Sequence, residues 1–135
     1  MTAREKSKVA FEQYRIIPSG CLQCSSVVVG IDRTETYFAF CSTLAIYVYE
    51  LKGFRLCRIL SGSLQQNIAA FTWSPHVSTN IATSGTKLKL LVWNLETEQI
   101  VSENDLPGFS PPTVMEWNPH QDRKNEIAIA CEDAM

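Results

Sequence analysis

The tetrapeptide Trp73-Ser74-Pro75-His76 recurs as Trp117-Asn118-Pro119-His120, 44 residues further along the chain. A second pair of stretches repeats at the same spacing: Tyr47-Val48-Tyr49-Glu50-Leu51 and Leu91-Val92-Trp93-Asn94-Leu95. Two different motifs that share one period mark a repeat protein. Each repeat is then a supersecondary unit that buries its apolar faces by stacking on its neighbours.

Working outward from Trp73, the period divides into short strand-like runs. Residues 68–73 alternate in part and end at the turn signal Ser74-Pro75. Residues 80–84 form a short β-branched and apolar run closed by Gly85. Residues 88–93 follow the tight turn Gly85-Thr86-Lys87, and Gln99-Ile100-Val101 makes a weaker fourth strand after Glu96-Thr97-Glu98. Four strands joined by short turns predict an antiparallel meander. The same template predicts strands upstream over 37–42, 44–51 and 54–60, and downstream over 113–117 and 126–131. Residues 10–17 fit a strand by length and neighbours, and a helical face by Ala10, Tyr14 and Ile17. Residues 1–10 form a charged tail, and residues 11–135 carry the repeats.

The chain has 135 residues, 45% of them hydrophobic and 19% charged, with a formal net charge of −2. This composition excludes a wholly disordered or collagen-like chain. It also argues against a dedicated nucleic-acid binder, which needs a clustered cationic face to neutralise phosphates. No apolar run of secretory length follows the charged start, and residues 37–49, interrupted by Ser42 and Thr43, are too short to span a bilayer as a helix. A cytoplasmic protein that does not bind membranes is expected.

Five cysteines without a secretion signal do not read as a disulfide framework. Cys41, Cys57 and Cys131 lie in apolar runs, as small hydrophobes do. Cys21 and Cys24 form a Cys-x-x-Cys, which is half a zinc site, a redox pair, or a loop with two free thiols. The other candidate ligands, His76 and His120, sit at equivalent repeat positions, which points to a shared structural job in the turn after proline. The sequence has no phosphate-binding glycine loop, zinc-protease motif or nucleophile elbow. No catalytic residue, cofactor or metal is expected.

A four-stranded unit of 40–45 residues, with Trp-Asp near the end of its third strand, is the signature of WD-repeat propeller blades. Residues 25–135 resemble that family through Val92-Trp93-Asn94-Leu95 and Trp73-Ser74-Pro75-His76. The resemblance implies an all-β fold: a partial WD-repeat β-propeller of about two and a half four-stranded antiparallel blades. These fall at about 25–60, 68–106 and, incomplete, 113–135. Strong WD blades add a Gly-His pair, a Ser or Thr and an Asp to the Trp, forming a buried hydrogen-bond network. Counting back from Trp93 puts Gly85 at the Ser position and Lys87 at the Asp position, and counting back from Trp73 puts Leu64 at the His position. In the preceding blade Thr43 and Tyr49 take the Asp and Trp positions, and in the last unit Asp133 takes the Asp position. The expectation is that Trp93 stands without the network and that apolar packing holds the blades. The aromatic set Trp73, Trp93, Trp117, Tyr47, Tyr49 and Phe71 is expected between blades. Pro75, Pro119 and Asn94 are expected to be structural residues of the repeat motif.

The resemblance also implies a non-catalytic protein-interaction scaffold, with other proteins as partners. A rigid ring of blades displays two rims of loops, where binding residues concentrate. One candidate contact loop is Pro107-Gly108-Phe109-Ser110-Pro111-Pro112, with Phe109 at its tip. Closed propellers need about 4–8 blades. A chain of 135 residues holds about three units, so a fragment or truncated form is expected, aggregation-prone alone, with the missing blades among its partners. The alternative from another class is a small metal- or thiol-dependent protein built on Cys21 and Cys24.

Overall fold

The computed structural model describes residues 29–32, 34–42, 45–61 and 67–132. Within them the chain forms three antiparallel sheets laid out in sequence order. The first blade consists of β1 (Val29–Ile31), β2 (Tyr37–Cys41), β3 (Ile46–Glu50) and β4 (Arg55–Leu60). The second consists of β5 (Ile68–Trp73), β6 (Asn80–Gly85), β7 (Lys89–Asn94) and β8 (Gln99–Asp105). A third unit pairs β9 (Pro112–Trp117) with β10 (Ile127–Cys131), joined by a loop holding a short 3₁₀ turn at Gln121–Arg123. In the two full blades each strand pairs with the next along the chain, so both are simple meanders.

The 44-residue period extends to irregularities that carry no obvious sequence mark. Between β3 and β4 the register slips at Cys57, and between β7 and β8 it slips at Val101, 44 residues later. Between β5 and β6 it slips at Ala69, and between β9 and β10 at Thr113, again 44 residues later. An extra residue bends its strand and increases the local twist. Repeating the bulges therefore gives successive sheets the same shape, which lets them stack. The turns before the outer strands also match: Phe54 and Glu98 both adopt left-handed backbone, with φ of 51° and 58°.

Period-2 alternation divides each strand between two neighbours. From the second blade, Phe71, Trp73, Ile81, Leu91 and Trp93 pack on Ala39, Cys41, Ile46, Val48 and Leu60 of the first. The alternate residues Ala70, Ala82, Leu90 and Val92 pack on Met115, Trp117, Ile127 and Ile129 of the third unit. At each junction a bulky face meets a face that is small or aliphatic. The other face of the first sheet is an aromatic ladder, in which Phe38 stacks on Tyr49 and Phe40 on Tyr47, with ring centroids 5.2 and 5.0 Å apart. Tyr47 and Tyr49 thus occupy the side turned away from the second blade.

Candidate interaction surfaces

The end of each first strand carries a side chain that caps the following turn. Ser74 Oγ accepts the backbone N–H of His76 and Val77 at 3.2 and 3.1 Å. Asn118 Oδ1 accepts the N–H of His120 at 3.0 Å. In the first blade the same place is held by Asp32, only 1% exposed, whose carboxylate accepts the N–H of Thr36 and Tyr37 at 2.8 Å each. It also accepts the Thr34 hydroxyl. Such side-chain acceptors replace backbone bonds that a turn cannot make. Asp32 was not visible in the sequence as a repeat residue, because no Trp-x-Pro-His surrounds it.

The two repeated tryptophans brace the same loops. Trp73 Nε1 donates to Ser78 O at 2.8 Å, and Trp117 Nε1 donates to Lys124 O at 2.7 Å. Opposite them, the turns before the outer strands are tied in: Leu51 N–H donates to Thr36 O at 2.8 Å and Leu95 N–H to Thr79 O at 2.7 Å. Asn94 Oδ1 shapes the second of these turns by accepting the N–H of Glu96 and Thr97. The result is one rim of pinned loops along the ends of both full blades.

Between these blades the rim opens into a cleft of about 280 Å³. Tyr37, Val48, Cys57 and Arg58 line it from the first blade, and Ser78, Thr79, Leu95 and Glu96 from the second. Beside it, Arg58 Nη1 and Glu98 Oε1 form an ion pair of 2.9 Å that joins the two blades. In the second blade, Lys89 of β7 donates to Glu103 and Asp105 of the outer strand β8 at 2.8 and 2.9 Å. These two carboxylates hold its ammonium above the usual lysine range.

Two expectations are corrected by the geometry. Trp93 does not stand alone: its Nε1 donates to Thr83 Oγ1 at 3.0 Å inside the core, and both residues are buried. The hydroxyl position is therefore Thr83, two residues before Gly85. Gly85 serves a different need, since a Cβ there would lie 1.7 Å from the carbonyl oxygen of Asn67. His76 and His120 share only the backbone role. The His76 ring reaches across to the third unit, with Nε2 2.6 Å from Asn118 O, whereas His120 is exposed. Pro75 is half-buried and Pro119 exposed, each in the capped turn.

Phe109 is 98% exposed beside Gly108, whose φ of 120° is open to glycine. The last proline of this loop, Pro112, is buried and begins β9. Cys41 is buried and Cys57 exposed. Cys21, Cys24, Thr43, Leu64 and Asp133, together with the tail at 1–10, lie outside the described residues. Among the described residues no helix is long and apolar enough to cross a membrane, and no three metal-ligating side chains cluster.

No protein-family model matches the chain. Its structure is similar to the β-propeller domain of Cps50 (Swd1) from Myceliophteria thermophila, with a TM-score of 0.62 and 21% sequence identity. The match covers 90% of this chain and 35% of that one, so the chain spans about a third of the propeller it resembles. Three stacked antiparallel sheets with one shared period have the fold of β-propeller blades.

Proposed function

We propose that this chain is part of a WD-repeat propeller that works in the cytoplasm as a non-catalytic scaffold. Its partners are proteins rather than nucleic acids or membranes. The observation that carries this reading is the rim between the first two blades. Its loops are fixed at both ends by capped turns and cross-ties, and they border a cleft with both apolar and charged walls. Binding residues on rigid loops lose little conformational entropy on association. Within the family, residues 37–49 resemble the N-terminal blades of WD repeat-containing protein 17, and that narrower likeness belongs to the same proposal.

The third unit supports a larger ring. Val114 is 40% exposed, and Glu116, Ala128 and Ala130 are exposed beside it. At the equivalent places of the second blade, Ala70, Thr72, Ala82 and Ser84 are all buried. The missing neighbour is a further blade of the same propeller. Reading the coding sequence on both sides for more units of the 44-residue period tests this part. Finding none would remove the larger ring.

The scaffold reading is tested by photo-crosslinking in cell extract, with the crosslinker placed in turn at Ser78, at Thr79 and, as a control, at Val101 on the outer strand. Protein adducts concentrated at Ser78 and Thr79 are expected. Adducts absent from the rim, or no more frequent there than at Val101, would overturn it.

A further inference from the structure

The cleft between the first two blades lies between sheets that each have all four strands in place. Its deepest lining residues are Val48 and Leu95, 2% and 5% exposed. Tyr37, Ser78, Thr79 and Glu96 stand nearer the mouth, where the phenol and the two hydroxyls can accept hydrogen bonds. The Arg58–Glu98 ion pair ties the two walls together. Within the second wall, Leu95 N–H donates to Thr79 O at 2.7 Å. The cleft is therefore shaped before anything enters it.

The charges around it do not balance. Arg58 is matched by Glu98, and Glu50, which faces Tyr37 across β2 and β3, is matched by Arg55 at 3.3 Å. Glu96 takes part in no ion pair among the described residues. Its backbone N–H is held by Asn94 Oδ1 at 2.8 Å, so its carboxylate starts from a fixed turn. The cleft thus joins an apolar floor to one unmatched negative charge. An incoming anion is repelled by Glu96 and must compete with Glu98 for Arg58. A wholly apolar side chain fills the floor, but it strips water from the Glu96 carboxylate and gives nothing back. A long cationic side chain satisfies both features, with its methylene stem on Val48 and Leu95 and its head group against Glu96.

We infer that this cleft receives a lysine or arginine side chain of the partner protein. The inference rests on reading the rim as a protein-binding surface, and it names the residue type that surface selects. Glu96 accepts part of the head group's donors, and the oxygens of Tyr37, Ser78 and Thr79 accept the rest. The floor supplies contact area for the stem, and Glu96 supplies selectivity for positive charge. The pair forms at an exposed mouth, so added salt weakens the binding.

The test selects a displayed library of random heptapeptides on the immobilised 135-residue chain. A photo-crosslinker at Ser78 then retains the peptides that reach the cleft. These should share one position occupied by lysine or arginine. Replacing that residue with norleucine, which keeps a stem and removes the charge, should weaken binding by about tenfold. Glu96→Gln in the protein should weaken it by a similar factor, and Glu96→Lys should abolish it. Both variants should keep the parent's denaturation midpoint, because Glu96 is exposed. Cleft-directed peptides anchored by acidic or neutral residues, or equal binding by Glu96→Gln, would overturn the inference and leave the scaffold reading standing. Recovery of no cleft-directed peptide would overturn it too, and crosslinking in extract at Ser78 and Thr79 would then decide the scaffold reading separately.

Discussion

The junction between the first two blades and the junction between the second blade and the third unit use the same positions with different completeness. At the first, a dozen buried side chains form one cluster. At the second, the apolar cluster of the described residues has four buried members, Ala70, Ala82, Met115 and Trp117, and four aliphatic residues beside them are half-open. The register and bulges are the same in both. The difference arises from what lies over the sheet, so in this fold a residue's burial depends on the neighbouring unit. The first junction should therefore behave as a core, and the second as a surface partly covered.

The largest expected contrast comes from Phe71 and Met115, which are 44 residues apart and both 1% exposed. Phe71→Ala should cost about 3–5 kcal/mol, because the packed cluster around it relaxes little. Met115→Ala should cost about 2 kcal/mol, at the low end for such a truncation, since its half-open neighbours can collapse into the space. Hydrogen exchange resolves the two: Phe71→Ala should speed exchange throughout both full blades, and Met115→Ala only in β9 and β10. Equal, global effects would break the distinction between the junctions.

A second contrast is between Gly85 and Cys131, which hold the same place beside the repeated bulge. In the second blade the carbonyl of Asn67 occupies the space a Cβ would need. The Asn67 backbone is held there by reciprocal bonds with Thr86, each 3.1 Å long. Gly85→Cys, which imports the third unit's residue, should cost about 3 kcal/mol through forced backbone movement. Cys131→Gly, the reverse exchange, should cost about 0.5–1 kcal/mol through chain entropy alone. Denaturation midpoints of the two variants compare them directly, and a larger loss from Cys131→Gly would invert the argument.

These contrasts mark what the sequence could reveal. The period, the meander and the packing of Phe71 and Trp93 between blades were legible, because each rests on local alternation and turn residues. The hydroxyl partner of Trp93 was not. Counting positions selected Gly85, but the diagonal contact between β6 and β7 selects Thr83. Gly85 itself is explained by Asn67, which is distant in sequence and close only after folding. The Asp32 cap was hidden for a related reason: its repeat equivalents Ser74 and Asn118 share its turn and not its flanking residues. Different side-chain acceptors satisfy one backbone geometry, so the geometry repeats where the letters do not. His76 and His120 match in sequence, and among the described residues only the His76 ring has a neighbouring loop within reach.

Thr83 and Ser84 turn the comparison inward, since these adjacent buried hydroxyls face opposite junctions. Thr83 receives the Trp93 indole at the first junction. Ser84 Oγ is buried at the second, without a hydrogen-bond partner among the described residues. Thr83→Val leaves the indole N–H unsatisfied and should cost about 1–2 kcal/mol. Ser84→Ala removes an unpaired buried hydroxyl and should be neutral, or stabilising by up to about 1 kcal/mol. Chemical denaturation of the two variants decides, and a sizeable loss from Ser84→Ala would show that its hydroxyl has a partner after all.

The smallest effect expected is at the Arg58–Glu98 pair, the polar tie across the first junction. Its side chains are 36% and 51% exposed, so solvent screens the attraction and ordering two long side chains offsets part of it. A double-mutant cycle with Arg58→Met and Glu98→Gln should give a coupling of about 0.2–1 kcal/mol, shrinking as salt is added. Glu98 also occupies left-handed backbone at φ 58°. Glu98→Gly would therefore exchange a weak ion pair for relief of backbone strain, with a net change near zero. If the coupling instead exceeded that of the buried Trp93–Thr83 contact, measured in the same way, the first junction would owe its firmness to its charged rim. The apolar cluster beneath would then be the lesser contributor, and the contrast between the junctions would need an electrostatic explanation.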